Sequence, residues 1–597
     1  METAIKYYPV HVDWEVYKNS IISLKESKEY ESDDSEIIFA RSFCHAVIKY
    51  LWRSVDLKKK WPDRTISIPI EKLNLKELKI AKEIADYFIS LNIMEYAYLL
   101  GNVYTMLLPN RYRADNGIYY TPPRLAERLL DILAAEGADW AEADILDPAC
   151  GGGAFLITVA NRMLGDYRIK NLLAVDKLVH LERHLTGFEI DPFAGWITQV
   201  LLDIIVYPET VLAKRRLKAI IKIQDTIECV QHENKTFDII IGNPPYGRIK
   251  LDESTRNFYA RSLYGHANLY GVFIDAALRL RKDNGLIGFV TPTSFLGGKY
   301  FSNLRQVLAE IAPPLAIDFV SVRAGVFEQV LQETCLITFG ENPARTVTTN
   351  KIHIENNSYN IERIGSFKIN AGVEPWMIAR EPSEAIIVNK LVELKTTLKD
   401  YGYKVSTGQL VWNRFKEQIF DVKVKKAKPI IWAEAILKTG EFTFNYQARN
   451  KMKYMQVLEK QDFLVCKNPV ILVQRTTAKE QNKRLQACLL PHSFIEKWGG
   501  VVIENHVNII HSISETPIIS LEAMLLILNS QIVDRIFRCL SGSVAVSATE
   551  LYAIPLPEVE KISEIENVMM STKDDSLIAE QVNNILIKAY GLEYGNE

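Results

Sequence analysis

The sequence predicts an α/β protein with a doubly wound, mainly parallel sheet of the Rossmann-like type, flanked by a helical N-terminal region and a mixed α+β C-terminal domain. Short apolar strands alternate with amphipathic stretches from about residue 117 to 340, and this rhythm is missing after residue 360. Strands separated by helices form parallel sheets, which bind ligands at the carboxyl ends of their strands. We therefore expect three segments: a helical region at 1–105, an α/β domain at 106–345 and a mixed domain with an acidic tail at 346–597.

The N-terminal segment has the periodicity of helices. Apolar residues recur at helical spacing through 37–51 and again through 73–100. The first residues have neither a basic start nor an apolar signal core, and no apolar run in the chain reaches membrane-spanning length. We expect a soluble, cytoplasmic protein without a membrane partner.

Seven runs of the α/β segment are typical of strands. In chain order they are ADILDPA, LTGFEID, KAIIKIQDT, FDIIIGN, GLIGFVTP, AIDFVSV and TCLITFG.

Charge and cysteine usage limit the function classes. The net charge is −2, but residues 401–490 hold 17 Lys/Arg against 7 Asp/Glu, whereas residues 491–597 hold 6 against 15. A basic segment beside an acidic one indicates a polyanion-binding surface, and a solvated basic face is the alternative. Seven cysteines without CxxC spacing argue against zinc and against a disulfide framework, so we expect no metal.

The first predicted strand runs into the glycine-rich turn DPACGGGAF, residues 147–155. Glycines at 151–153 allow a tight turn and a close backbone approach to a ligand, and the helix that follows offers amide donors. Such turns occur in many nucleotide binders and also in ligand-free proteins.

Three further polar residues are expected at the same edge of the sheet. Glu189 ends the second strand, where a carboxylate could accept both hydroxyls of a ribose, and Asp225 ends the third, where it could accept an adenine amino hydrogen. Asp147 and Glu189 are about twice as far apart as a dinucleotide site requires, which disfavours NAD. Thr121 is the predicted N-cap of the helix RLAERLLDIL. Each acid alone could be a strand-end cap, but their combination favours a cofactor pocket.

The fourth strand, FDIIIG, runs into Asn243-Pro-Pro-Tyr246. Proline lacks a backbone donor and fixes φ, so the strand must end here in a rigid turn. Taken alone, the tetrapeptide could equally be a turn with a packed tyrosine.

These motifs together resemble a known family. TPP, DPACGGGAF, GFEIDP, QDT and GNPPYG, followed by ANLYGVFIDAAL and GLIGFVTPTSFL, are similar to S-adenosylmethionine-dependent DNA adenine-N6 methyltransferases of restriction-modification systems, in their gamma arrangement and of TaqI type. The resemblance covers residues 117–340 closely and 400–560 loosely, and residues 1–105 lie outside it. Gly152 stands where Ser is common, a departure expected to matter little.

The resemblance implies a methyltransferase domain at 106–345 and a target-recognition domain at 346–597. It implies that S-adenosylmethionine is bound by Thr121, Asp147, Ala149, Gly151, Gly153, Glu189, Asp225, Thr226 and Pro245. It also implies double-stranded DNA as partner, action as a monomer and a cognate restriction endonuclease encoded separately.

The same resemblance assigns catalysis to four residues. The side-chain oxygen of Asn243 and the carbonyl of Pro244 would accept the N6 hydrogens of adenine, and asparagine does so without becoming a nucleophile. Tyr246 and Phe327 would stack on a base that has left the helix, as chemistry on a buried ring atom requires. Phe327 could instead be a core residue.

Other substrates are disfavoured by specific features. Cytosine-N4 enzymes more often have Ser in place of Asn243, and no Pro-Cys pair is present for cytosine-C5 chemistry. Glutamine-N5 protein methyltransferases and some RNA methyltransferases share the Asn-Pro-Pro-Tyr turn, but they have little need of a large basic C-terminal domain. A non-catalytic DNA-binding subunit would not need the cofactor and acceptor residues.

Five residues of the basic segment are predicted to contact DNA. Lys423, Lys425 and Lys426 suit phosphates, and Gln474 and Arg475 suit base edges. The Gln474 stretch could also be a buried strand whose arginine pairs with an acid.

Overall fold

The computed structural model describes residues 11–116, 120–321, 333–355, 358–445, 451–477, 481–513, 517–540 and 545–592. The chain forms two compact units. The first unit comprises Met1–Pro292, Val307–Arg345 and Ile352–Ile361, and the second unit comprises Thr293–Gln306, Thr346–Lys351 and Glu362–Glu597. The N-terminal helices and most of the α/β segment thus belong to one unit, while the predicted division into three segments stays a prediction.

The N-terminal region of the first unit is helical, as predicted. Side-chain caps fix three of its helix starts, because Ser32, Asn74 and Asn92 each accept a backbone N–H from the third residue of the helix. Its apolar side chains share one core with Ile157, Phe193 and Ile197 of the α/β region. The helices are α1 His11–Glu26, α2 Asp33–Val55, α3 Leu75–Ile89, α4 Ile93–Leu107 and α5 Asn110–Asn116.

The α/β part of the first unit has the predicted class, and all seven predicted strand runs contribute strands to one sheet. Its helices are α6 Pro123–Ala135, α7 Ala154–Gly165, α8 Tyr167–Lys170, α9 Ala174–His184, α10 Pro192–Ile205, α11 Tyr207–Ala213, α12 Thr226–Cys229, α13 Glu253–Phe258 and α14 Leu269–Leu280. Helix α15 Ser302–Ile311 has residues in both units. Its strands are β1 Ile145–Asp147, β2 Leu185–Glu189, β3 Ile221–Ile223, β4 Phe237–Gly242, β5 Arg248–Ile249, β6 Ala267–Asn268, β7 Arg281–Pro292, β8 Pro314–Val320 and β9 Thr334–Phe339. Strands β10 Thr346–Glu355 and β11 Ser358–Lys368 each have residues in both units.

The large sheet has the strand order β11-β10-β8-β9-β7-β4-β1-β2-β3. Parallel pairing joins β7, β4, β1, β2 and β3, while β9 runs antiparallel to β7 and β8. Strand β1 lies between β2 and β4, with Ile145 opposite Leu185 on one side and Ile239 on the other. The carboxyl ends of β1, β2, β3 and β4 therefore meet at one edge, where the sequence places its polar motifs.

The second unit is mixed α+β. Its strands form a four-stranded sheet of order β12-β20-β17-β18 and a five-stranded sheet of order β13-β15-β14-β19-β16. The strands are β12 Tyr403–Thr407, β13 Ile419–Phe420, β14 Ala427–Ile431, β15 Tyr454–Gln456, β16 Val465–Cys466, β17 Val470–Gln474, β18 Ala487–Leu490, β19 Val501–Ile503 and β20 Val507–Ser512. The helices are α16 Pro382–Leu391, α17 His492–Trp498, α18 Leu521–Asn529, α19 Gln531–Leu540, α20 Ala548–Tyr552, α21 Glu564–Ser571 and α22 Asp575–Ala589.

Within the described ranges, no single helix is long and apolar enough to cross a membrane. The pair α10 and α11 reaches that length and composition only when counted together, with a bend of 67° between its two helices. Helix α10 contacts β2 and β3, as a core helix of the sheet does.

Candidate active site

A cavity of about 260 Å³ lies at the shared edge of β1, β2, β3 and β4. The lining includes most of the predicted cofactor residues together with the asparagine that is predicted to be catalytic. These are Thr121, Asp147, Ala149, Gly151, Glu189, Asp225, Thr226, Asn243 and Pro245.

Asp147 ends β1 and is buried. Its carboxylate accepts the Ala149 backbone N–H at 3.1 Å, which shapes the start of the glycine-rich turn. Burial raises the pKa of Asp147 well above its usual value, and the nearby Glu189 carboxylate adds to the rise. A Cβ on Gly242, at the end of β4, would lie 2.8 Å from the Asp147 Oδ1 atom, so this carboxylate needs a glycine on the neighbouring strand.

The glycine-rich turn uses two left-handed residues, Gly151 at a φ of 50° and Gly153 at a φ of 87°. Gly153 is the N-cap of α7, and a Cβ there would meet the Thr198 methyl group at 2.8 Å. The Thr198 hydroxyl donates to the Gly151 carbonyl at 2.6 Å. The turn is thus held by α10 while Gly151 faces the cavity, which suits close approach of a ligand to the backbone.

Glu189 has both carboxylate oxygens fixed by backbone amides. Oε2 accepts the Gly151 N–H at 2.7 Å, and Oε1 accepts the Asp191 N–H at 2.9 Å. Burial raises the pKa of Glu189 to about 7, although the backbone hydrogen bonds act in the opposite direction. Each oxygen retains a lone pair for a further donor, so the geometry suits two hydroxyls presented side by side.

The third polar position follows β3. The Asp225 carboxylate accepts the Ile227 N–H at 2.7 Å and caps the short helix α12. The Thr226 hydroxyl donates to the Pro148 carbonyl and so ties this loop to the glycine-rich turn. Asp225 is therefore a helix cap that also lines the cavity.

Thr121 lines the cavity and is buried, but the prediction that it caps the next helix is wrong. Helix α6 begins at Pro123, its N-cap is Pro122, and no side chain caps it. Two consecutive prolines explain the shift, because proline is favoured at the first helical position and forces the preceding residue into an extended conformation.

The Asn243 turn brings the predicted acceptor to the same cavity. Asn243 and Pro245 line the cavity, and Pro244 is buried. The Tyr246 hydroxyl donates to the Asn243 Oδ1 atom at 2.7 Å and lies 3.2 Å from the Val290 carbonyl oxygen.

The predicted stacking residues are placed only in part. The Tyr246 ring is 8% exposed and packs edge-on against Tyr270, with ring centroids 6.1 Å apart. Phe327 lies outside the described residues.

Three tyrosines that the motifs did not reveal also line the cavity: Tyr104, Tyr112 and Tyr120. Tyr120 comes directly before the TPP motif at residues 121–123, so its place in the sequence is a signal that could have indicated it. A Cβ on Gly152 would lie 2.4 Å from the Tyr120 ring, so serine at this position would require the ring to shift. The departure at Gly152 therefore matters more than expected, because it makes room for Tyr120.

The predicted DNA-contacting residues all belong to the second unit. Lys423, Lys425 and Lys426 are exposed on the connection between β13 and β14, and Lys426 has a φ of 64°. The Lys423 ammonium lies 4.5 Å from the centroid of the Trp498 ring.

Gln474 ends β17, Arg475 follows it, and both residues are half-buried. The Gln474 amide donates to the carbonyls of Ala433 and Ile436, and Arg475 donates to the Asn505 carbonyl. Both side chains therefore support local loops, and their base-reading role stays a prediction.

Residues 183–323, from the end of α9 to just beyond β8, match the Eco57I restriction-modification methylase family. The chain contains an Eco57I restriction-modification methylase domain. The methylase domain includes Glu189, Asp225 and the Asn243 turn, whereas the glycine-rich turn and the N-terminal helices precede the matched range.

Type II methyltransferases resemble the chain well beyond the methylase domain. The type II methyltransferase M.BsuBI of Bacillus subtilis is 24% identical over 518 residues, which are 80% of this chain and 96% of that protein. M.PstI of Providencia stuartii is 27% identical over 357 residues, covering 58% of this chain and 70% of that protein. The homologues are thus type II methyltransferases at modest identity.

Solved structures share the fold at low sequence identity. The type IIL restriction-modification enzyme MmeI, solved in complex with DNA, superposes with a TM-score of 0.53 at 13% identity and covers 99% of this chain and 98% of its own. DrdV, also in a DNA complex, gives a TM-score of 0.52 at 12% identity, over 93% of this chain and 71% of its own. Both confirm the predicted fold class.

Proposed function

We propose that this protein transfers a methyl group from S-adenosylmethionine to the N6 amino group of a flipped-out adenine in double-stranded DNA. Its role is to protect a specific site from a cognate restriction endonuclease that is encoded separately. One observation carries the proposal: the Asn243 turn and the Glu189 carboxylate line the same cavity of the methylase domain.

The cavity fits the proposed cofactor. Glu189 offers two fixed acceptors for ribose hydroxyls, and Asp225 lines the wall where an adenine amino group would find an acceptor. Gly151 brings backbone close to the cavity without a side chain. When bound, S-adenosylmethionine supplies an electrophilic methyl group on its sulfonium and leaves as the neutral thioether.

The Asn243 turn orients the amine that receives the methyl group. An adenine amino group is a poor nucleophile, because its lone pair is delocalised into the ring. Asn243 Oδ1 and the Pro244 carbonyl each accept one N6 hydrogen, which favours a lone pair directed towards the methyl group. Fixed acceptors of this kind stabilise charge that develops only in the transition state. Neither acceptor takes up the proton, so the amine loses it to water after transfer.

The tyrosine of the turn has two tasks. Its hydroxyl donates a hydrogen bond of 2.7 Å to the Asn243 Oδ1 atom, and its ring supplies the surface on which an extruded base stacks. Because the ring is largely buried, base entry requires one face of Tyr246 to be uncovered. Phe327 is proposed as the second stacking residue.

The second unit supplies the target-recognition surface. Its lysine cluster, Lys423, Lys425 and Lys426, is exposed and contacts phosphates, and Gln474 and Arg475 contact base edges. We propose that the protein acts on DNA as a monomer.

Methyl transfer in vitro tests this function. The purified protein is incubated with methyl-labelled S-adenosylmethionine and, separately, with mixed-sequence duplex DNA, transfer RNA and a peptide release factor. We expect label in DNA alone. Label in RNA or in the release factor, with none in DNA, would overturn the proposal.

A further inference from the structure

Asp191 links the N-terminal helices to Glu189 in the wall of the cavity. Its Oδ1 atom accepts the Phe193 N–H at 2.9 Å and caps α10. Its Oδ2 atom accepts the Tyr104 hydroxyl at 2.8 Å, and the Arg41 guanidinium lies 3.3 Å from Oδ1. Asp191 is 7% exposed, so this carboxylate depends on its protein partners.

The two partners come from separate helices, Arg41 from α2 and Tyr104 from α4. Tyr104 also lines the cavity, and its ring packs against Phe193 with centroids 5.1 Å apart. Both helices lie outside the matched range of the methylase domain. Helix α4 therefore reaches the cavity through Tyr104, and α2 reaches the lining residue Asp191 through Arg41, although no motif indicated either side chain.

Asp191 is hydrogen-bonded in turn to Glu189, the carboxylate that is proposed to bind the ribose. The Asp191 N–H donates to Glu189 Oε1 at 2.9 Å, while the Gly151 N–H donates to Oε2. A shift of Asp191 would move its backbone N–H. The Glu189 carboxylate would then rotate away from the Gly151 N–H. A continuous path of hydrogen bonds thus runs from α4 to Glu189.

We propose that Arg41 and Tyr104 are positioning residues for the cofactor, which set its affinity by holding Asp191 and thereby the Glu189 carboxylate. This inference rests on the proposed function, since it takes S-adenosylmethionine as the ligand. It gives the N-terminal helices a role in the cofactor site, in addition to their share of the core.

Replacing Tyr104 by Phe removes one hydrogen bond and keeps the ring. A hydrogen bond to a charged group is among the stronger ones in proteins, so we expect the Kd for S-adenosylmethionine to rise about tenfold. Titration calorimetry of the full chain measures this Kd. Tyr96→Phe is the matched control, because Tyr96 is also buried and lies on the same helix, eight residues or about 12 Å away along the axis. The control should bind as the wild type does.

Replacing Arg41 by Met gives an independent readout. Without the guanidinium, the negative charge of Asp191 is less compensated, and this charge already raises the pKa of Glu189. The pH at which cofactor affinity reaches half its plateau should therefore move upwards in Arg41→Met and return towards the wild-type value in Arg41→Lys. A loss of packing alone would weaken binding equally at every pH. The other titratable groups that act on Glu189 or feel its charge are Asp147, Cys150, Tyr112 and Tyr120.

The outcomes separate this inference from the proposed function. If the wild type does not bind S-adenosylmethionine, the proposed function fails. If the wild type binds it and Tyr104→Phe matches Tyr96→Phe, the positioning role is overturned. Should Tyr104→Phe fail to fold, as judged by circular dichroism, the Arg41 pair decides, and an unmoved pH midpoint in Arg41→Met overturns the inference.

Discussion

The cavity of the first unit and the lysine cluster of the second unit differ in how their polar side chains are held. At the cavity, Glu189 has a fixed N–H partner on each oxygen, and Asp147 accepts the N–H of Ala149. The lysines at 423, 425 and 426 are exposed on a connection between strands. Groups that are buried and fixed act through geometry, whereas exposed charges act through their sum. Single substitutions should therefore be costly at the cavity and mild at the lysine cluster.

The largest effect is expected at Asn243. Asn243→Ala removes the acceptor that we propose for the target amine, so the methyl-transfer rate should fall roughly 10²- to 10³-fold. The Kd for S-adenosylmethionine should stay close to the wild-type value. Single-turnover kinetics and calorimetry on the same preparation measure both. Asn171→Ala, at an exposed position on the first unit, is the control. Near-normal turnover in Asn243→Ala would refute the acceptor role.

The complementary effect is expected at Glu189. Glu189→Ala removes the two charged hydrogen bonds that we propose to the ribose hydroxyls, so cofactor affinity should fall roughly ten- to a hundredfold. Calorimetry checks this value. An unchanged affinity would remove Glu189 from the cofactor site.

The raised pKa of Glu189 predicts a pH dependence of binding. An ionised carboxylate accepts hydrogen bonds from two hydroxyls better than a protonated one does. Because the pKa of Glu189 is raised to about 7, the carboxylate becomes mostly ionised only above that pH. Affinity for S-adenosylmethionine should therefore rise from pH 6 to pH 8 and level off above it, by at most about tenfold per pH unit. Glu189→Gln should flatten this profile. Equal slopes in the two proteins would mean that another group titrates.

The smallest effect per residue is expected at the lysine cluster. Changing Lys423, Lys425 and Lys426 together to Gln should reduce the slope of log affinity against log salt by roughly 2 to 3, since each phosphate contact contributes about 0.9. Specific and nonspecific duplexes should be affected alike, because phosphate contacts carry no sequence information. Salt titration of DNA binding measures the slope.

A second exposed lysine set in the same unit serves as the control. Changing Lys390, Lys395 and Lys399 to Gln removes the same charge elsewhere, and the slope should then stay at the wild-type value. If the two triple variants shift the slope equally, the lysine cluster is an ordinary solvated face.

Much of the fold could be predicted because its signals are local. Each of the seven strand runs is a short apolar segment that ends in a turn signal, and the parallel sheet brings those ends together without further information. Asp147, Glu189, Asp225 and Asn243 were placed at one edge on that ground, and they line one cavity.

The rest depends on contacts between residues distant in the chain. Tyr104 reaches Asp191 across 87 residues, and Arg41 reaches it across 150. Their helical periodicity predicts which residues are buried but not which polar partner each one meets. The cap at Thr121 was wrong for a local reason, because the two prolines after it start the helix later.

The identity of the methylated base tests the central claim most directly. DNA is isolated from a host that lacks its own adenine methylation and expresses either the wild type or Asn243→Ala. Nucleoside mass spectrometry and sequencing of modified bases then identify the product and its context. The proposal predicts N6-methyladenine at one recurring sequence with the wild type and none with Asn243→Ala. N4-methylcytosine in its place, or unmodified DNA from cells that contain the folded wild type, would contradict it.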